Sequence, residues 1–211
     1  MVDYFKQTLQ GDIGEEHVSL TLKQKGIDTV PIKKTYDLLM WENDVKIEVK
    51  TSHLHTYRNE RTAFYKFTFQ PYQIKKGAFH YAVCLGLDDF NNVIDTYIIP
   101  QNALPKTSLC IHPKSGYYQA TNSDKYKITK DRWDLLTIKN KSYLVRVKNK
   151  LAKEINNYEA NLKAELKKIF IEVFNNPEIK KHNKASYIID NYGITKTKVY
   201  RLIKEWKLNK A

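Results

Sequence analysis

The 211-residue chain is expected to fold as an α/β protein. Three observations predict this: a helical pattern from Gly11 to Gly26, a series of short segments with alternating apolar residues, and their order. That order runs helix, three strands, helix, then further strands, which builds a sheet with helices against it.

In the first helix, GDIGEEHVSLTLKQKG, Glu15, Val18, Leu22 and Gly26 recur at steps of three and four. Glu15 therefore shares the inward stripe with apolar residues, and Gly26 closes the helix. A buried carboxylate needs a lysine or a cation nearby; the other reading is a helix-start glutamate favoured by the macrodipole. Residues 29–40 read as a strand carrying Asp37, and Glu42 to Asp44 as the turn into the next. The central strand is Asp44 to Ser52, DVKIEVKTS. Side chains alternate along it, with Val45, Ile47 and Val49 on one face and Lys46, Glu48 and Lys50 on the other.

Thr51 to Arg61, with His53, His55, Arg58 and Arg61, lacks an apolar period and reads as a loop with surface histidines. Ala63 to Phe69 alternates as a strand. Gln70 to Gly77 is a short helix started by Pro71 and stopped by Gly77; Gln70 is the weaker candidate for a polar contact near the site and is read as outside it. Phe79 to Leu87 is a nearly continuous apolar run, expected of a strand covered on both faces, and Val93 to Ile99 is another strand.

The net charge is +13, which favours polyanionic partners. A lysine-rich composition explains part of it, since only five of the 36 basic residues are arginine. The charge is also uneven: residues 176–211 hold nine Lys/Arg against three Asp/Glu, a surplus of six. No apolar run is long enough to span a bilayer and MVDYFKQ is no signal peptide, so a soluble cytoplasmic protein with no membrane partner is expected. Cys84 and Cys110 form no CxxC pair, which argues against a zinc site or a disulfide framework.

Asp37 stands eleven residues before Glu48, at the end of a neighbouring strand, and Lys50 lies one strand period beyond Glu48. Two carboxylates and a lysine converging there can hold a divalent cation and steer water toward a phosphate. A helix with GxxxE, Asp37 at a strand end, then Glu48-Val49-Lys50 and a short helix before an apolar strand resembles the PD-(D/E)XK nuclease superfamily, over residues 10 to 100. Tyr36 departs from it, standing where the family often has proline.

The resemblance implies a restriction-endonuclease-like αβββαβ core with a mixed sheet. It implies a metal-dependent endodeoxyribonuclease using Mg2+, with Mn2+ as substitute. Asp37 and Glu48 would bind the ion together with the Val49 carbonyl. Lys50 would act on the attacking water, and Glu15 would add a further carboxylate. A site-specific type II restriction-like enzyme acting on double-stranded DNA as a homodimer is the leading form. A Holliday junction resolvase or a transposon-end nuclease is the alternative, and a DNA-binding regulator with a vestigial core is the alternative of another class.

Beyond residue 100 the pattern weakens. Pro100 to Gln119 reads as irregular, Thr129 to Leu136 as a short capped helix, and Ser142 to Val147 as a strand. Lys150 to Phe174 reads as one long helix with a seam of Leu151, Ile155, Tyr158, Leu162, Leu166, Ile169 and Val173, which serves either packing on the core or dimerisation. Ala185 to Trp206 has the cadence of a helix-turn-helix: a helix ending near Tyr192, Gly193 at the turn, Thr195 as cap, and Val199, Leu202 and Trp206 facing inward. Lys196, Thr197, Lys198, Tyr200, Arg201 and Lys204 are then left for DNA; a helical hairpin for protein contact is the other reading. Three regions are expected: a nuclease domain at 1–148, a connecting or dimerisation helix at 149–175, and a DNA-binding module at 176–211.

Overall fold

The computed structural model describes residues 2–32, 35–56, 63–75, 77–106, 108–113, 124–192, 194, 196–206 and 208. Helix α1 (Val2–Gln24) is followed by four strands, β1 (Thr29–Pro31), β2 (Leu38–Met40), β3 (Val45–Thr56) and β4 (Ala63–Thr68). Helix α2 (Pro71–Lys75) then leads to β5 (Tyr81–Leu87) and β6 (Val93–Pro100). A last strand, β7 (Ser108–Ile111), precedes three helices, α3 (Lys141–Asn175), α4 (Lys184–Tyr192) and α5 (Lys196–Trp206).

The strands form one seven-stranded mixed sheet centred on β3. Every pairing is antiparallel except β3 with β5. A parallel pair needs a crossover, and α2 lies within it. All seven residues of β5 are buried, as its unbroken apolar run requires. Helix α1 lies against β3 with Val18 and Leu22 fully buried. Gly14 permits that approach: a Cβ there would come within 2.5 Å of the Thr51 side chain and 3.2 Å of Val49. The turn before β3 is tied down by Asn43, whose amide donates to the Ile138 carbonyl at 3.0 Å while its oxygen accepts from the Val45 N–H.

Several sequence expectations change. Residues 29–40 are two short antiparallel strands rather than one, with Thr29 opposite Met40. The stretch Thr51–Thr56 continues β3 instead of forming a loop, because β4 pairs with Leu54–Thr56 and β5 with Thr51–His53. Strand β7 arises in the stretch read as irregular, held by four pairings to β4. Thr129 to Leu136 contains 3-10 turns and a single bridge from Lys130 to Tyr97, not an α-helix. Ser142 to Val147 is helical rather than extended: Asn140 caps α3 by accepting from the Tyr143 N–H, so the helix begins nine residues before Lys150.

The described residues form two cores. The larger joins the sheet, α1 and the first half of α3 through Leu144, Leu151, Ala152 and Ile155. The smaller joins Leu166, Phe170 and Val173 of α3 to Ile188, Ile194, Val199, Leu202 and Ile203. Phe170 meets the Trp206 ring edge-on at 5.2 Å. The apolar seam of α3 is thus buried within the chain at both ends. No described helix is long and apolar enough to cross a membrane.

Candidate active site

The site arises where β3 is paired on one side only. Strand β2 leaves β3 after Ile47, and β4 joins it only at Leu54; residues 48–53 between them pair with β5 alone. A backbone N–H in that gap must find another partner. The Val49 N–H finds one in Asp37, donating to Oδ2 at 2.6 Å. Asp37 is itself positioned by its own N–H, which bonds the Ile47 carbonyl at 3.0 Å. Within an extended strand the N–H and C=O of one residue project to the same edge, so the Val49 carbonyl lies on the Asp37 side too.

Glu48 is 1% exposed, more deeply buried than a strand face of alternating charges would suggest. It is not unpartnered. The Lys50 ammonium donates to Oε1 at 2.5 Å, and the Gln73 amide nitrogen reaches both carboxylate oxygens at 3.1 Å. Gln73 comes from α2 and is 6% exposed; the same nitrogen donates to the Thr35 carbonyl at 3.1 Å, two residues before Asp37. Its own oxygen is buried without a hydrogen-bond partner.

The electrostatics follow from this packing. Burial raises the Asp37 pKa above the ordinary carboxylate value, against the lowering effects of the Val49 N–H and the Lys50 charge. Burial likewise raises Glu48, with Asp37 adding repulsion and Lys50 opposing it. For Lys50, burial is the largest effect and lowers the pKa, but the Glu48 and Asp37 carboxylates together hold it above the usual lysine value. Lys50 is therefore a cation that its neighbours need.

Asp37, Glu48, Val49 and Lys50 accordingly meet at one point. Glu15 sits half-buried on α1, one residue after the Gly14 contact. It does not join Asp37 and Glu48 as a third ligand: among the described residues, no three His, Cys, Asp or Glu side chains converge closely enough to hold a metal. Gln70 is exposed. Gln73 is the residue the sequence reading missed, because a five-residue helix has too little periodicity to show which of its amides points inward.

The C-terminal residues lie in the second core's lobe. Lys196, Thr197, Tyr200, Arg201 and Lys204 are exposed on α5, and Lys198 is half-buried. Val199, Leu202 and Ile203 are buried opposite them. Gly193 and Thr195, read as turn and cap, fall outside the described residues, as do Arg58 and Arg61; Ile194 between the first two is buried.

No protein-family model matches the chain, and no curated protein does. Among solved structures it is similar to a bacterial homing endonuclease, I-Ssp6803I, at 17% identity over 68% of this chain and 96% of that one, with a TM-score of 0.46. So slight a likeness carries no chemistry across, and the functional reading rests on the side chains.

Proposed function

We propose that the protein is a divalent-metal-dependent DNA endonuclease whose C-terminal helices select the site at which duplex DNA is cut. The observation that carries this reading is the meeting of Asp37, Glu48 and Lys50 in the unpaired gap of β3.

The donors suit a hard cation such as Mg2+ or Mn2+, which takes few protein ligands and keeps several waters. Buried Glu48 and half-buried Asp37, both with raised pKa values, repel each other there, and the Val49 carbonyl shares their edge. Asp37, Glu48 and that carbonyl are the residues that would hold the ion. When bound, such an ion supplies Lewis acidity at the phosphate and acidifies an attacking water. Lys50, kept protonated, orients that water and offsets phosphate charge. Gln73 keeps both Glu48 oxygens turned toward the gap, while the Val49 N–H fixes Asp37. Glu15, half-buried on α1, would act through water rather than by direct coordination.

For selection, the exposed Lys196, Thr197, Tyr200, Arg201 and Lys204 on α5 offer phosphate contacts and base-reading side chains. Cutting both strands needs two such centres, which a homodimer would provide. The reading is tested by incubating the protein with a random-sequence duplex library, with Mg2+ and with EDTA, beside Lys50→Ala and Asp37→Ala. Metal-dependent ends that both substitutions abolish are expected. Tight DNA binding with no metal-dependent ends from any sequence would instead make the protein a non-catalytic DNA-binding regulator.

A further inference from the structure

Two adjoining hollows lie along α3, with volumes of about 490 and 510 Å³. Both are lined by Lys150 and Glu154, so they form one groove from Tyr143 to Asn161. At 1.5 Å per residue that is about 27 Å of helix. Arg146 and Lys150 line one half and Lys150 and Lys153 the other, with Arg132 reaching in from the preceding loop. Among the described lining residues, four cations therefore face one acid.

Glu154, the acid in the described lining, lies beside these cations and adds a coulombic pull on Arg132. Arg132 also forms a two-pronged pair with Asp134, at 2.8 and 2.9 Å. Arg146, Lys150 and Lys153 are the exposed cations left, at steps of four and three along one helix face. Those steps are about 6 and 4.5 Å of rise, so the three charges form a row along the helix that a polyanionic strand can follow. The Arg146 guanidinium lies 5.8 Å over the Tyr143 ring, which holds its planar fork in one orientation. A second copy of the chain meeting it with the same face would bring the same cations and be repelled. An apolar partner would have to strip water from all of them.

We propose that this groove holds the sugar-phosphate backbone of duplex DNA, as a second anchoring surface separate from both the cleavage centre and α5. It rests on the DNA-binding reading above and adds where the duplex is gripped. The groove occupies the half of α3 that precedes Leu166, where the C-terminal core begins.

The test is fluorescence anisotropy of the full chain with a labelled duplex in EDTA, across a salt series. Arg146→Gln, Lys150→Gln and Lys153→Gln are measured singly and together, beside Arg201→Gln/Lys204→Gln. The three groove side chains are exposed, and circular dichroism and melting confirm that each variant folds. The triple variant should weaken binding about ten- to a hundredfold at physiological salt, equally for all duplex sequences. It should also reduce the slope of log K against log salt by about three, close to one for each phosphate that is no longer neutralised. If the wild type binds and the α5 pair weakens it while the triple variant leaves affinity and slope unchanged, the groove proposal is wrong and the DNA-binding reading stands. If the wild type binds no duplex, both fall. Equal loss of binding to polyglutamate, or loss for single strands but not duplex, would overturn the duplex as occupant.

Discussion

One nitrogen of Gln73 lies 3.1 Å from each oxygen of Glu48, so an amide on α2 sets the orientation of a carboxylate on β3. Replacing Gln73 by Leu keeps the volume but removes the donor. Cleavage should fall about ten- to a hundredfold, the usual loss when a partner of a ligating carboxylate goes. The loss should be partly recovered at higher Mg2+ or Mn2+, because Glu48 remains but is less well aimed. Unchanged metal dependence would remove Gln73 from the site.

Lys50 is predicted to be dispensable for DNA binding and essential for cutting. Lys50→Gln should reduce the single-turnover rate by at least about a hundredfold, in the range typical of a missing charge or proton donor. Affinity in EDTA should stay within a few-fold of wild type. A parallel loss of binding and cutting would recast Lys50 as a structural counter-ion of Glu48.

Asp37 is predicted to cost stability when no cation is bound. Its folded pKa is raised by burial, so the native state takes up the proton at higher pH than the unfolded chain does. Stability from this group is therefore gained as pH falls through the folded value, and is lowest at neutral pH and above. Asp37→Asn should raise the metal-free melting temperature at pH 7.5 by roughly 2–4 °C, on the order of 1 kcal/mol for a chain of this size. The gain should shrink as pH falls toward and below the ordinary aspartate value of about 3.9, since both states are protonated well below it. A lower melting temperature for the variant at pH 7.5 would show that the Val49 hydrogen bond outweighs the burial cost.

The residues of the candidate site were legible in the sequence to very different degrees. Strand alternation placed Glu48 and Lys50 together, and a carboxylate at a strand end singled out Asp37; the three side chains lie together in the fold. Local pattern could not show that Glu48 would be buried, since its cover comes from α2, more than twenty residues away. Nor could it show that Thr51–Thr56 stays extended, because polar residues such as His53 and His55 are held there by pairing with β5 and β4 rather than by an apolar period. The start of α3 was misread for a related reason: in Ser142 to Val147, β-branched and aromatic residues suggest a strand, but the Asn140 cap and burial of Leu144 decide for the helix.

His80 gives an opposite pH signature. Its Nδ1 accepts from the Lys46 N–H at 2.9 Å, and burial, then the nearby Lys148 and Lys46 charges, lower its pKa. The unfolded chain therefore takes up this proton first as pH falls. The stabilising effect is fully present above the ordinary histidine value near 6.5 and is lost progressively as pH falls from there through the lower folded value. His80→Asn keeps an acceptor for the Lys46 N–H but cannot be charged, so its loss of stability between pH 7.5 and 5 should be smaller than wild type. Identical pH profiles would mean His80 does not titrate in that window.

Phe170→Ala should loosen the C-terminal lobe while leaving the sheet lobe folded. The side chain is fully buried and packs edge-on against Trp206, so its removal should cost about 3–5 kcal/mol. Hydrogen exchange should then rise across α4 and α5 while β3 and β5 stay protected. Nicking, if retained, should become sequence-indifferent. Uniform deprotection of the whole chain would show instead that the lobes melt together.

Because α3 ends in one core and begins in the other, neither lobe can be traded for a foreign one by cutting at a loop. A chimera with a new reading head would have to be joined inside the helix, between Ile155 and Leu166, with the phase of the turn preserved. Inserting or removing even one residue there would rotate the head by about 100° relative to the blade. Such a chain can change the exposed face of α5 one side chain at a time far more readily than it can exchange the whole lobe.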